Sequence, residues 1–285
     1  MKYIQILAIV TLTMAISYTS FSQELYVYSD PASNVPAKSL ALKYGGKWIK
    51  DTYQGHEHIA TRQMLESSMG VSKKLMIRPS LTFSNMYSLY PDLAVKFESA
   101  SIYAKYRFIS IDDIHKHFRA AAYVKGVLSR NELQYDELTI DGDQSALQFG
   151  LIFTQLVNKL AVSANLGIHQ VMDDERWLKY AGPRNFGYQA FNYILSGGYL
   201  VYPKKYTSYE QTNFNIYFEL IGGQGLDRTY SFVDFAPAVQ LIFNSNTKVN
   251  LGYRFQVSGD VYRMARQGVY LSAERTFLNV LKKRS

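Results

Sequence analysis

The sequence predicts an all-β fold, a transmembrane antiparallel up-and-down β-barrel of about 12 strands, an even number as single-chain bacterial barrels require. Three observations predict it. The chain carries 24 Tyr and 16 Phe at a mean hydropathy of only −0.15, the profile of strands that meet lipid at every second residue and set aromatic girdles at both interfaces. Segment after segment alternates apolar and polar side chains with the strand period. No apolar run beyond the first residues is long enough to cross a bilayer as a helix.

In chain order, residues 1–22 read as a secretory signal peptide: Lys2, an apolar stretch from Tyr3 to Ala15, then Ser20-Phe21-Ser22 with small residues where a signal peptidase cuts. The mature chain is expected to begin at Gln23. Residues 23–38, with Asp30-Pro31 and Val35-Pro36, read as an extended periplasmic lead-in, and 39–285 as the barrel.

The expected strands are 39–47, 63–71, 75–87, 97–109, 117–129, 145–157, 159–171, 187–202, 213–221, 232–243, 247–257 and 267–278. The parity is cleanest where it can be read over several residues. Leu160, Val162, Ala164, Leu166 and Ile168 oppose Lys159, Ser163, Asn165 and His169; Val249, Leu251, Tyr253, Phe255 and Val257 oppose Lys248, Asn250, Arg254 and Gln256. A soluble β-sandwich also alternates, but its outer face would be hydrophilic, and here that parity is apolar. Two residues disturb the pattern: Arg275 falls on the lipid parity, where it is expected to snorkel to an interface, and Pro237 inside a strand is expected to mark a bulge.

Barrels of this kind alternate short periplasmic turns with longer external loops. With periplasmic termini, the periplasmic joints fall at Ser72–Lys74, Ser110–Lys116, Asn158-Lys159, Pro203–Thr212 and Asn244–Asn246. The external joints fall at Trp48–Arg62, Ser88–Lys96, Arg130–Gln144, Met172–Phe186, Gly222–Ser231 and Ser258–Arg266.

Composition narrows the function. The absence of Cys excludes a lipid-anchored N-terminus, a disulfide framework and thiolate chemistry. Lys and Arg number 31 against 23 acids, a formal charge of +8, but they are scattered and the chain is exported, so nucleic acid is not an expected partner. Outer-membrane lipids, lipopolysaccharide phosphates and the outer-membrane assembly machinery are, with the cell outer membrane as the location.

Several short stretches carry a resemblance. Glu66-Ser67-Ser68-Met69-Gly70-Val71-Ser72-Lys73-Lys74-Leu75, then Phe97-Glu98 leading to Lys105-Tyr106-Arg107, then Phe235-Ala236-Pro237-Ala238-Val239-Gln240 running to Asn250-Leu251-Gly252-Tyr253, resemble the transporter-like outer-membrane barrels of the MetA pathway of phenol degradation. The resemblance implies a channel for small hydrophobic or aromatic compounds. The chain departs from that family at Leu128-Ser129-Arg130, where a Pro-Thr-Gly is usual, and in the basic tail Lys282 to Arg284.

On the inward parity, Arg78, Lys105, Arg107, Arg119, Lys125, Lys159, Lys248 and Arg254, with Glu219 and Asp234, are the candidate pore-lining residues; Lys43, Glu66 and Glu274 share that parity. A basic lining favours anionic solutes. The same charges also suit cross-barrel pairs that plug a narrow lumen, and about twelve strands lies between filled and open barrels. No cofactor or metal is expected. His56, His58, His115, His117 and His169 fit no Ser/His/Asp arrangement, and no Gly-x-Ser-x-Gly elbow occurs. The expected function is a channel or transporter-like barrel for small solutes, not an enzyme; the alternatives are an enzyme acting on lipid or lipopolysaccharide, or a closed structural or adhesive barrel.

Overall fold

A computed structural model describes residues 26–53, 56–85, 94–114, 116–131, 137, 144–172, 189–204, 210–259, 261, 263 and 266–282, with side chains from 50 to 58 left aside. The residues read as a signal peptide lie outside this set.

Alternating side chains build one closed sheet. Its strands are β1 (Leu40–Tyr53), β2 (His56–Gly70), β3 (Leu75–Ser84), β4 (Lys96–Asp113), β5 (Lys116–Ser129), β6 (Ala146–Val157), β7 (Leu160–Val171), β8 (Gln189–Tyr202), β9 (Asn213–Gly225), β10 (Ser231–Phe243), β11 (Thr247–Gly259) and β12 (Gln267–Phe277). Each pairs antiparallel with its neighbours in sequence, and the ring closes where β1 meets β12 from Leu40↔Phe277 to Ile49↔Gly268. Closure leaves no strand edge exposed, as a bilayer requires.

The two faces invert the ordinary arrangement of a protein. Phe218 is 52% exposed while the next residue, Glu219, is 0% exposed, and the same alternation runs along β7, β10 and β12. Leu42, Ile102, Phe149, Ile168, Leu195, Leu251 and Val269 form part of the exposed apolar face. Exposed apolar side chains around buried polar ones are stable only if the outside is hydrocarbon. No described helix is long and apolar enough to cross a membrane; the strands do it instead.

At one end of the barrel the connections are short for local reasons. Asn158 and Lys159 make a two-residue turn with Asn158 at φ 54, and Asn244 and Ser245 adopt φ 50 and 55 between β10 and β11; Asn tolerates this left-handed backbone better than most residues. Between β2 and β3, Ser72 Oγ accepts the amides of Lys74 and Leu75 at 3.1 and 3.0 Å. This is the turn end; the opposite end is the loop end.

Several strands outrun the sequence expectation. β1 and β2 stay paired to Tyr53↔His56, inside what reads as an external joint at Trp48–Arg62. β4 and β5 pair to Asp113↔Lys116, shrinking the joint at Ser110–Lys116, and β9 reaches Gly225. Beyond the apolar band no lipid demands alternation, yet the backbone ladder still satisfies its own hydrogen bonds, so pairing continues after the pattern stops. β3 ends at Ser84, short of the expected 87, with 86–87 outside the described residues. The register shift in β10 lies at Val233/Asp234 and not at Pro237; at Pro237 the pairing to β11 lapses between Phe235↔Phe255 and Ala238↔Gly252, as a residue without N–H dictates. Arg275 is exposed near the turn end of β12, its guanidinium 5.6 Å from the Phe277 ring centre.

Candidate functional site

The inward wall is polar, and a segment of the chain itself lies against it. Residues 26–36, part of the stretch read as a periplasmic lead-in, turn into the barrel as a strap. Its exit is pinned at the turn end: Lys38 N donates to Gly70 O at 2.6 Å and Gly70 N donates to Ser39 O at 3.0 Å. The position requires glycine, because a Cβ on Gly70 would stand 2.1 Å from Pro36 O.

From there the strap is held by one wall side chain after another. Asn34 Nδ2 donates to Lys74 O at 2.8 Å. Lys105 Nζ, on β4, donates to Pro31 O and Ser33 O, each at 2.7 Å, and Arg119 on β5 donates to Ser33 Oγ at 2.6 Å. Ala32 N donates to Thr154 Oγ1 on β6 at 2.9 Å. Asp30 takes both Arg78 nitrogens, on β3, at 2.9 and 2.6 Å, while Asn165 on β7 donates to Asp30 O at 3.2 Å. Ser29 and Ser196 of β8 share a hydroxyl bond of 2.8 Å.

The strap's inner end is fixed by a single carboxylate. Glu219 on β9 accepts the amides of Val27, Tyr28 and Ser29 at 3.0, 2.8 and 2.9 Å, and the Ser196 hydroxyl at 3.0 Å. Successive backbone amides converging on one anion form a nest. Tyr26 packs edge-on against Tyr217 and Tyr28 against Tyr270 of β12, with ring centres 5.8 and 5.4 Å apart. The strap thus touches β2 through β9 and β12, spanning the lumen from wall to wall.

Below and above it lie charge networks. Toward the turn end, Lys43 meets Glu66 at 3.1 Å, Arg78 meets Glu66 at 3.5 Å and Lys248 meets Glu274 at 2.7 Å. Toward the loop end, Arg62 grips Glu98 with two bonds of 3.0 and 2.7 Å, joined by Asn131 Nδ2 at 3.2 Å. There too, Arg263 from the β11–β12 connection donates to Asp234 at 2.7 and 2.9 Å and to Glu137, from the β5–β6 connection, at 2.8 Å twice. Arg254 donates to Asp234 at 2.7 Å, and the Phe232 ring lies 4.4 Å from the Arg263 guanidinium. Burial pushes the Glu137 carboxyl up, against the opposing pull of Arg263 and Arg254.

The ten residues expected to line a pore therefore divide by role. Arg78, Lys105, Arg119 and Glu219 hold the strap. Asp234 and Arg254 belong to the loop-end cluster, and Lys248 to the turn-end network. Lys159 donates to Pro203 O and Lys204 O at 2.8 and 2.9 Å, and Arg107 to Lys73 O at 2.9 Å, both at the turn rim. Lys125 stands beside Tyr103 and Gln148 in the sheet register, on the inward parity. Asp30, Thr154, Ser196, Arg62, Glu98, Glu137 and Arg263 complete the interior without having been singled out. Parity carried back from Glu66 marks Arg62 as inward; Glu98 shares the outward parity of Ala100 and Ile102 and turns inward only at the register shift opposite Thr82/Phe83, and nothing periodic marks Asp30, Glu137 or Arg263.

Of the histidines, His117 faces Asp112 at 2.8 Å near the turn end, whereas His169 is buried toward the loop end of β7. The side chains of His56 and His58, and all of His115, lie outside the described residues. Among the described residues no group of His, Asp and Glu has the arrangement of a metal site.

Similarity to solved structures follows this geometry. An outer membrane channel from Pseudomonas putida F1 aligns over 88% of this chain and 100% of its own, with a TM-score of 0.53 and 13% identity. The fold is that of an outer-membrane barrel. The KdgM porin, in complex with disordered oligogalacturonate, aligns at a TM-score of 0.46 and 11% identity over 83% of this chain and 99% of its own. The NanC porin aligns at 0.46 and 12% identity over 84% and 100%. No protein-family model matches the chain, and neither does any curated protein sequence.

Proposed function

We propose that the protein is an outer-membrane channel for small solutes whose lumen is held shut by its own N-terminal strap. The observation that carries this reading is how the strap is held. Its contacts to the wall are mostly polar, hydrogen bonds between wall side chains and strap backbone together with one ion pair at Arg78, and polar contacts can be exchanged for water or solute. A permanent plug would bury a large apolar face, and here the strap's apolar contacts are short: Tyr26, Val27 and Tyr28 at one point, Ala32 at another. Moving the strap would remove one partner each from Arg78, Lys105 and Arg119 and leave these three cations on the wall it had covered, a basic lining that favours anions.

The resemblance to barrels of the phenol-degradation pathway supports the same class of activity, and the lipid-facing belt supports an outer-membrane site with lipid and lipopolysaccharide as its surroundings. The alternative of a lipid-acting enzyme would need histidines gathered with a nucleophile, and His117 and His169 stand near opposite ends of the barrel.

Planar-bilayer recording tests the proposal. The mature protein is expected to give small, intermittent steps, and a variant lacking residues 26–36 large, sustained, anion-preferring ones. Folded, inserted protein that stays silent after the deletion would overturn the channel.

A further inference from the structure

The strap does more than fill space, because one of its side chains makes a contact of a kind used for ligands. Asp30 lies in a two-pronged grip by Arg78, at 2.9 and 2.6 Å, the geometry in which guanidinium recognises carboxylates. The guanidinium lies in turn 4.5 Å from the Tyr103 ring centre, and the Tyr103 and Tyr123 rings are 5.4 Å apart. Lys105 on the same wall holds the carbonyls on either side of Ala32. Directly after the carboxylate, Ala32 packs with Ala121 and Ile152, with Tyr123 against them.

We propose that Arg78, Tyr103, Lys105 and Tyr123 form a binding site for small carboxylates with a compact apolar body, which Asp30–Ala32 of the strap occupies as an internal competitor. The proposal rests on the strapped-channel reading and names its solute class. Three features of the wall support it. Arg78 supplies a planar fork that phosphate or carboxylate fits, but the tyrosine rings and Ile152 beside it suit an apolar body that phosphate lacks. Without Asp30, the local charges are Arg78, Lys105 and Lys43 against Glu66, which Lys43 and Arg78 engage at 3.1 and 3.5 Å, so the vacated wall keeps a positive balance that attracts an anion. Glu219 and Thr154 hold the strap by its backbone, and Arg119 and Ser196 meet serine hydroxyls, so this patch is where the wall grips a strap carboxylate.

A site covered by its own chain binds solute with an affinity reduced by the fraction of time it is uncovered, so removing the competing carboxylate should raise affinity about tenfold or more. The test is binding of benzoate to purified, detergent-folded protein by ligand-observed NMR, with benzyl alcohol as its uncharged counterpart and inorganic phosphate as the anion without an apolar body. Wild type is expected to bind benzoate weakly, and Asp30→Ala about tenfold more tightly. Adding Arg78→Gln should abolish the gain; if that barrel fails to fold, Lys105→Gln in the same background should reduce it. Benzyl alcohol and phosphate should bind more weakly than benzoate to Asp30→Ala.

Equal affinity of wild type and Asp30→Ala, equal binding of benzyl alcohol or phosphate, or a gain that survives the loss of both cations would each overturn the proposal. The measurement involves no bilayer, so its failure is separable from that of the channel. Benzoate binding without conductance would leave the site and remove the channel; conductance without benzoate binding would do the reverse.

Discussion

Two sets of contacts cross the interior, and they are built on different plans. At the loop end, Arg263, Glu137, Asp234 and Arg254 concentrate the contact in four charged side chains, two of them brought in by connections between strands. In the middle, the strap spreads its hold over many strands, with Glu219, Arg78 and Lys105 making several bonds each and single hydrogen bonds between them. Concentrated charge is stiff and fails when one member is lost, since the remaining buried charges are left uncompensated. A distributed hold loses little at any single point, which suits a segment that has to leave and return.

Substitutions separate the two plans. The largest effect is expected at Arg263→Ala, which takes from Asp234 and Glu137 the more deeply buried of the two arginines they share and should weaken the loop-end cluster by about 3 kcal/mol. Limited proteolysis of intact cells should then cut the β5–β6 and β11–β12 connections; unchanged resistance would mean that the cluster does not hold them. Next comes Glu219→Gln, where three strap amides lose a carboxylate and keep at most one carbonyl oxygen. A loss of about 1.5–3 kcal/mol is expected, seen as faster deuterium uptake across residues 27–29, with the loop-end connections unaffected. The smallest is Thr154→Val, which removes one acceptor of nearly the same shape and should loosen Ala32 by about 1 kcal/mol. If Thr154→Val released the whole strap, its hold would be concentrated after all.

The barrel was legible in the sequence and the strap was not, for a physical reason. Lipid imposes a strict demand at every second residue, so Phe214, Ile216, Phe218 and Leu220 announce their face without any knowledge of their neighbours. The strap has no repeating environment: Tyr28 meets a ring, Asp30 a guanidinium and Ala32 a hydroxyl, so no period survives in its sequence. The surplus of inward cations was the one available hint. Lys105 and Arg119 on the same parity needed acceptors, and the wall's acids were too few to supply them. Arg263 and Glu137 were hidden differently, since connections carry no parity and polar residues there are the ordinary case.

The bonds from Glu219 to Val27 and Ser29 join residues 192 and 190 positions apart. The strap precedes every strand in the sequence, yet its inner end is held by strands far along the chain. Its residues 27–29 lack their carboxylate acceptor until β9 exists, and the ring contact of Tyr28 with Tyr270 waits for β12. A barrel missing β9 to β12 would still offer Arg78, Lys105 and Thr154 to the strap but would leave the amides of Val27 and Tyr28 without their acceptor. Full seating of the strap is therefore coupled to closure of the barrel, because its inner end is held by strands from the last third of the chain.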